Sequence, residues 1–118
     1  MISITRKLPK PQWQPYFDTL SKHLRLTKVS VIVEGLDLGV QPEIDKVELL
    51  GVTYDRGDDI IEIDSSALRH RIEGPHDVYL MEDVDGALLS FKVTDYEGHE
   101  QIVQFDPVLK LPPPDMPS

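Results

Sequence analysis

The sequence predicts an α+β fold, in which one N-terminal helix packs on a mainly antiparallel sheet of five to seven strands. Three observations indicate this class. Apolar residues recur at helical spacing only near the N-terminus, apolar and polar residues alternate in several later segments, and Asp/Gly-rich turns separate those segments. Because short turns connect neighbouring antiparallel strands, we expect a meander-like curled sheet or small open barrel, or an up-and-down sheet with the helix laid across it.

The predicted helix follows an extended lead-in over residues 1–11, which forms an edge strand or no regular element. Pro15 is compatible with this helix only in the first turn, where its missing backbone N–H costs little. We interpret the apolar residues as core that closes one face of the sheet, rather than as a ligand-stacking platform. They recur at three- and four-residue steps and share one stripe of the helix: Trp13, Tyr16, Phe17, Leu20 and Leu24.

The strongest hairpin prediction covers residues 49–63, where apolar and β-branched runs flank a turn at residues 55–59. The alternation changes parity between Leu49 and Val52, so we expect a bulge at residues 50 and 51, for which glycine is well suited. This hairpin is predicted to lie at the centre of the sheet.

Period-two alternation predicts further strands at residues 28–34, 77–82, 87–94 and 101–105. Residues 65–76 are less regular; if they form a strand, His70 is the polar residue on its apolar face. The proline-rich residues 107–118 are predicted to be a flexible tail. Residues 12–106 then form a single α+β domain.

Charge and composition exclude several classes of function. The 118 residues include 21 acidic and 12 basic side chains, and the net charge of −9 repels nucleic-acid phosphates. Without cysteine the chain has no disulfide, thiolate metal site or cysteine nucleophile. No apolar run approaches the roughly 20 residues that a membrane helix needs, and the N-terminus lacks the apolar region of a signal peptide. We expect a cytoplasmic protein that contacts neither membranes nor nucleic acid.

Four patches together resemble a known family. They are Trp13 with Phe17-Asp18, the Gly-x-Thr-Tyr-Asp patch at residues 51–55, the His-x-Ile-x-x-Pro patch at residues 70–75, and Asp85-Gly86. In these the chain resembles a family of small bacterial conserved hypothetical proteins, a domain of unknown function, over nearly its whole length. The resemblance implies a cytoplasmic bacterial protein with no assigned activity and no catalytic residues to carry over.

Two groups of side chains contain the residue types of a metal site, but we interpret neither group as a metal site. His70 and His76 share a strand face, but at about 3.3 Å per residue they lie about 20 Å apart unless the chain folds between them. Asp55, Asp58 and Asp59 lack the twelve-residue pattern of a calcium loop and are interpreted as solvated turn residues. We predict no metal ion and no other cofactor.

Three side chains are the candidate site residues. Tyr54, Asp55 and His70 would supply a donor, a carboxylate and a base if they converge, which are the groups that general acid–base catalysis requires. A structural interpretation competes with this one, in which Asp55 caps the turn and His70 bonds a carbonyl group inside the sheet. The sequence contains no phosphate-binding loop after a strand and no serine elbow, so we assign no catalytic residue.

Two functional hypotheses follow. We favour a non-enzymatic protein-interaction module, whose sheet edge or curled face binds another protein or a second copy of the chain. The alternative is a small-molecule-binding or catalytic domain built around Tyr54, Asp55 and His70. The two hypotheses differ in whether these three side chains meet at an accessible concave surface.

Overall fold

The computed structural model describes residues 3–111, and these residues form one helix and eight strands. A 3₁₀ turn at Lys10–Gln12 leads into the helix α1 (Trp13–Lys22). The α+β class, with the helix on an antiparallel sheet, is confirmed. The strands are β1 (Ser3–Leu8), β2 (Lys28–Gly35), β3 (Gly39–Asp55), β4 (Ile60–Ser65), β5 (Arg69–Glu73), β6 (Asp77–Asp83), β7 (Leu88–Thr94) and β8 (Glu100–Leu109).

The strands form one sheet in the order β1-β6-β7-β8-β2-β3-β4-β5, and every neighbouring pair is antiparallel. Two meanders, β2 to β5 and β6 to β8, are joined where β2 lies beside β8. The predicted count of five to seven strands is wrong, since the described residues form eight. The sequence signal for β1 is weak because five of its six side chains are exposed, so the strand is held by backbone pairing with β6.

Two strands extend beyond the predicted domain limits of 12–106. β1 falls within the predicted lead-in over residues 1–11, and β8 continues to Leu109, past the predicted start of the tail at residue 107. Residues 112–118, most of the predicted tail, lie outside the described residues, as do residues 1 and 2.

The predicted hairpin at residues 49–63 and its bulge are confirmed, but its predicted place at the centre of the sheet is wrong, because β4 lies next to the edge strand β5. β3 and β4 are joined through residues 56–59, and their register shifts between Leu49 and Gly51. Leu50 is exposed at this bulge, whereas Leu49 and Val52 on either side are buried. The extra residue therefore restores the inward parity of the second half of β3.

The helix α1 packs on β3 and fills the interior of the sheet. Its stripe buries Trp13, Phe17 and Leu20, and the ring of Phe17 lies 5.1 Å from that of Phe91 on β7. Pro15 lies in the first turn, as predicted. No helix among the described residues has the length and apolar character needed to cross a membrane.

Side-chain contacts show that the sheet bends back on itself. His70 on β5 forms a hydrogen bond with Gln101 on β8, although β2, β3 and β4 lie between these strands in the sheet. In a flat sheet, four strand spacings of about 4.8 Å would separate them by about 19 Å. The bend brings β5, at the outer edge of one meander, back to β8, where the two meanders join.

Candidate functional site

The structure does not bring the three predicted site residues together. Tyr54 on β3 lies opposite Ile61 of β4, whereas His70 on β5 lies opposite Ile63 of β4. β4 therefore separates the tyrosine from the histidine. Asp55 follows Tyr54 directly, so its side chain points to the other face of the sheet, where it is exposed.

Tyr54 belongs to a cluster of side chains at the start of α1, beside an open cavity that it lines together with Asp59. Its side chain is only 5% exposed, its hydroxyl donates a hydrogen bond to Asp59 at 2.6 Å, and its ring meets the edge of Trp13 at 5.1 Å. Burial and the bond to Asp59 raise the pKa of Tyr54 to about 12. The phenol is thus neutral near pH 7, and its proton is already engaged.

Asp55 caps the turn of the β3–β4 hairpin. Its Oδ1 accepts hydrogen bonds from the backbone N–H groups of Gly57 at 2.9 Å and Asp58 at 3.3 Å. Both partners are turn residues, as the structural interpretation predicted. Among residues 3–111, no three or more histidine, aspartate or glutamate side chains are grouped so that they could hold a metal ion.

His70 begins a chain of polar side chains that continues under the β7–β8 turn. Its Nε2 lies 2.5 Å from Oε1 of Gln101, and the amide nitrogen of Gln101 donates to Asp95 at 3.0 Å. Gln101 and Asp95 are buried. The partner of His70 is therefore a side-chain amide oxygen, and the arrangement satisfies the buried polar groups of Gln101 and Asp95.

His99 connects the same turn to the β2–β3 turn. Its Nε2 lies 2.8 Å from Oδ1 of Asp37, and this hydrogen bond raises the pKa of His99 while it lowers that of Asp37. Gly35 packs so closely here that a Cβ atom would lie 2.4 Å from Cδ2 of His99. The contacts fix the two turns against each other.

A different surface carries the features of a binding site. A cavity of about 500 Å³ lies between β1, α1 and the β6–β7 turn, and it is open to solvent. Leu8 and Pro15 contribute apolar surface to it, and charged and hydroxyl side chains from all three elements contribute polar groups. Concave surfaces that combine apolar walls with a few convergent polar groups are the usual form of binding sites.

The most unusual group in this cavity is the hydroxyl of Tyr16. Its oxygen is buried, and among the described residues it has no hydrogen-bond partner. Burial and the nearby carboxylate of Glu82 raise the pKa of Tyr16, so the hydroxyl keeps its proton. A buried hydroxyl without a partner costs about 1–3 kcal/mol, which a suitable ligand would recover.

The cavity is lined by more anionic than cationic side chains. Arg6 and Glu82 form a paired contact, with Nε–Oε1 at 2.6 Å and Nη2–Oε2 at 3.4 Å. Asp85 adds a second carboxylate from the β6–β7 turn. The lining therefore holds one cation and two anions, and its net charge is negative.

The cavity borders a free sheet edge. Among residues 3–111, β1 pairs with β6 alone, and the indole N–H of Trp13 donates to the carbonyl of Leu8 at 2.8 Å, on the side away from β6. Backbone groups of alternate residues in an antiparallel strand point in the same direction. The N–H and C=O groups of Ile4 and Arg6 therefore also point away from β6, along the outer edge of β1.

The sequence alone does not indicate this site. Its pattern places Tyr16 in the apolar stripe of the helix and predicts an edge strand or no regular element for residues 1–11. One signal was available, because a tyrosine beside Phe17 carries a polar end that needs a partner when the ring is buried. The position of Glu82 beside Arg6 could not be predicted, since it depends on pairing between strands far apart in sequence.

Comparisons with known proteins find similar sequences. Residues 4–114 match the model of a family described as a family of unknown function (DUF5335). An "Uncharacterized protein" of Aquifex aeolicus (strain VF5) is 38% identical over 109 residues, which are 92% of this chain and 97% of the relative. No solved structure gives a significant match. The resemblance that the four sequence patches indicated is confirmed.

Proposed function

The chain belongs to the family of unknown function DUF5335, and we propose that it is a non-enzymatic interaction module that binds an extended segment of a partner protein along β1. The observation that carries the proposal is the outer edge of β1, where the backbone groups of Ile4 and Arg6 point away from the sheet. An extended peptide can add to such an edge as a further strand, with affinity from backbone hydrogen bonds and specificity from adjacent pockets.

β5, at the opposite edge of the sheet, is less suited to the addition of a strand than β1 is. β5 has five residues, and the side chains of Arg69 and Arg71 flank it while both bind Glu62. The carbonyl of Glu73 already accepts a hydrogen bond from the backbone of Tyr96. Short, charged and partly occupied edges resist strand addition. The first half of β1 carries no charged side chain in Ser3, Ile4 and Thr5, which makes it the more receptive edge.

The alternative hypothesis receives no support from the geometry. A small-molecule-binding or catalytic domain would need Tyr54, Asp55 and His70 at one accessible surface, and β4 and the alternation of β3 separate them. We therefore assign no catalytic residue. Our proposal retains the cytoplasmic location expected from a chain without cysteine.

The proposal is tested by the change Ile4→Pro. Proline removes the outward N–H of residue 4, and edge positions of this kind tolerate it because the bonds between β1 and β6 are kept. A library of eight-residue synthetic peptides is screened against the full chain, and binders are measured by fluorescence anisotropy. We expect Ile4→Pro to weaken binding about tenfold, the equivalent of one backbone hydrogen bond.

The matched control is Ile4→Thr, which keeps the N–H and a β-branched side chain and should change the affinity less than about threefold. Bound peptides should also shift and protect the backbone amides of Ile4 and Arg6 in NMR spectra. Peptides that bind Ile4→Pro equally well, or a library without binders, would show the proposal to be wrong. A dimer of the chain that Ile4→Pro dissociates would show that the edge pairs with a second copy instead.

A further inference from the structure

We propose that the cavity beside β1 selects a lysine side chain from the extended segment that pairs with this strand. The inference rests on the proposed function, and it adds the chemistry by which the site would distinguish one segment from another. Three features of the cavity carry it: its position relative to the strand edge, its charge, and the unpartnered hydroxyl of Tyr16.

The position of the cavity fixes which side chains of a bound segment would enter it. Ile4 and Arg6 share the face of β1 that buries Leu8, and the cavity lies on this face, beneath α1. Side chains of a paired strand alternate between the two faces in the same way. Every second side chain of the added segment therefore lies on the same face of the sheet as the cavity, and a long side chain opposite Arg6 or Leu8 can extend into it.

The charge of the cavity favours a cation. Arg6 is already paired with Glu82, and Asp85 leaves an excess of one carboxylate. An acidic side chain would be repelled here, whereas an ammonium group would neutralise the excess. The protein as a whole has a net charge of −9, which also attracts basic segments over longer distances.

The hydroxyl of Tyr16 distinguishes a lysine from an apolar side chain of similar length. Its oxygen is buried and, within the described part of the chain, unpartnered, so it would accept a hydrogen bond from an ammonium group once the side chains that cover it move aside. An apolar side chain would fill the same space and leave the hydroxyl without a partner. Leu8 and Pro15 line the cavity and can pack against the methylene groups of a lysine stem.

The experiment compares three dye-labelled peptides on the full chain by fluorescence anisotropy. The first has the sequence STVKVTS, and the other two carry norleucine or glutamate in place of the lysine. We expect the lysine peptide to bind at least about tenfold more tightly than the norleucine peptide and the glutamate peptide to bind most weakly. Equal affinity for lysine and norleucine would overturn the inference.

Two variants assign the preference to the cavity. Glu82→Gln and Tyr16→Phe should each reduce the ratio of the lysine and norleucine affinities to about threefold or less. Tyr16→Phe also has a second readout, because removal of a buried, unpartnered hydroxyl removes its desolvation cost and should leave the unbound protein at least as stable to urea as the wild type. The matched control is Glu43→Gln, an exposed position on β3 that makes the same change in net charge.

The outcomes separate this inference from the proposed function. If Ile4→Pro weakens all three peptides and none is preferred, strand addition stands and lysine selection is wrong. If Ile4→Pro changes none of the affinities, strand addition along β1 is wrong. If Glu43→Gln reduces the lysine preference as much as Glu82→Gln does, the preference arises from net charge, and selection by the cavity is overturned.

Discussion

At the scale of single residues, the contacts of His99 favour its protonated form. Its Nε2 lies 2.8 Å from Asp37, and its Nδ1 lies 3.9 Å from the buried carboxylate of Asp95. Glu97 in the same turn also favours the protonated ring. Three carboxylates thus surround one imidazole, and the bond to Asp37 is the largest influence on its raised pKa.

The sign of the pH dependence follows from these shifts. A histidine whose pKa is raised on folding stabilises the protein fully below the unfolded value of 6.5, and this contribution is lost as the pH rises through the folded pKa. Asp37, whose pKa is lowered on folding, stabilises the protein fully above the unfolded value of 3.8, and this contribution is lost as the pH falls through the folded pKa. The pair therefore stabilises the fold most between these two unfolded values, and the stabilisation decreases at lower and at higher pH.

We accordingly expect Asp37→Asn to destabilise the protein more at about pH 5.5 than at about pH 8.5. Urea unfolding midpoints of the variant and the wild type measure the difference. In NMR titrations, the pKa of His99 should fall in the variant. Asp45→Asn, at an exposed position outside the turn, is the control. A destabilisation that is the same at both pH values would contradict the assignment.

The residue contacts that could be predicted are the local ones. The cap formed by Asp55 was visible in the sequence because its partners, Gly57 and Asp58, lie two and three residues away. The bond between His70 and Gln101 spans 31 residues and two different meanders. Alternation identified His70 as a polar residue on an apolar face. No residue near it in the sequence indicates that Gln101 is its partner.

At the scale of elements, the contact between α1 and β3 compensates for a missing strand neighbour. β2 begins at Lys28, opposite Glu48, so the second half of β3 extends beyond it. Ser21 of α1 takes this place, since its hydroxyl accepts from the backbone N–H of Val52 at 2.9 Å and donates to the carbonyl of the same residue at 2.7 Å.

Ser21→Ala removes both bonds and leaves the N–H and C=O groups of Val52 without them. We expect a loss of about 1–3 kcal/mol in the free energy of unfolding, because unpaired backbone groups in a half-buried position carry a desolvation cost. Urea denaturation measures this loss. Ser66→Ala, an exposed position after β4, should change the free energy by less than about 0.5 kcal/mol. Equal effects of the two changes would show that the helix does not cap β3.

Elements with strong local patterns were predictable, and those without them were not. The helix and the β3–β4 hairpin have the periodicity and turn residues that predict them, and the bulge at Gly51 follows from the change of parity. β1 and β5 have weaker signals, because most of their side chains are exposed. Both are edge strands, where one side of the backbone has no strand partner and apolar alternation is less necessary.

At the scale of the whole molecule, Phe17 joins the helix to the meander formed by β6 to β8. Its side chain is fully buried, and its ring meets Phe91 of β7, which in turn lies 5.8 Å from Phe105 of β8. The bent sheet encloses this row of rings. The core is therefore continuous from the helix to the strand that joins the two meanders.

We expect Phe17→Ala to lower the free energy of unfolding by about 3–5 kcal/mol, through lost burial and the cavity left behind. This is a large part of the roughly 5–15 kcal/mol by which domains are stable. Phe17→Leu keeps most of the volume and should cost clearly less. Chemical denaturation of both variants measures the difference. If the alanine variant lost less than about 1 kcal/mol in the free energy of unfolding, the helix would not be packed on the sheet through Phe17.

The order of strands in the whole sheet could not be predicted from the sequence. Sequential hairpins account for the two meanders, but the pairing of β2 with β8 and of β1 with β6 depends on which apolar faces close the core. An uninterrupted meander would have satisfied the same local patterns. The edge that we propose as a binding site results from the pairing of β1 with β6, which are far apart in the sequence.

The pairing of β1 with β6 determines when the first strand can join the sheet during synthesis. β1 leaves the ribosome before β6, yet Ser3 pairs with Asp83, so its partner strand emerges only after β2 to β5 have been made. The contacts within each meander are more local and can form earlier. A partner protein that engages the outer edge of β1 would thus encounter that edge in its final form only on a chain from which β6 has already emerged.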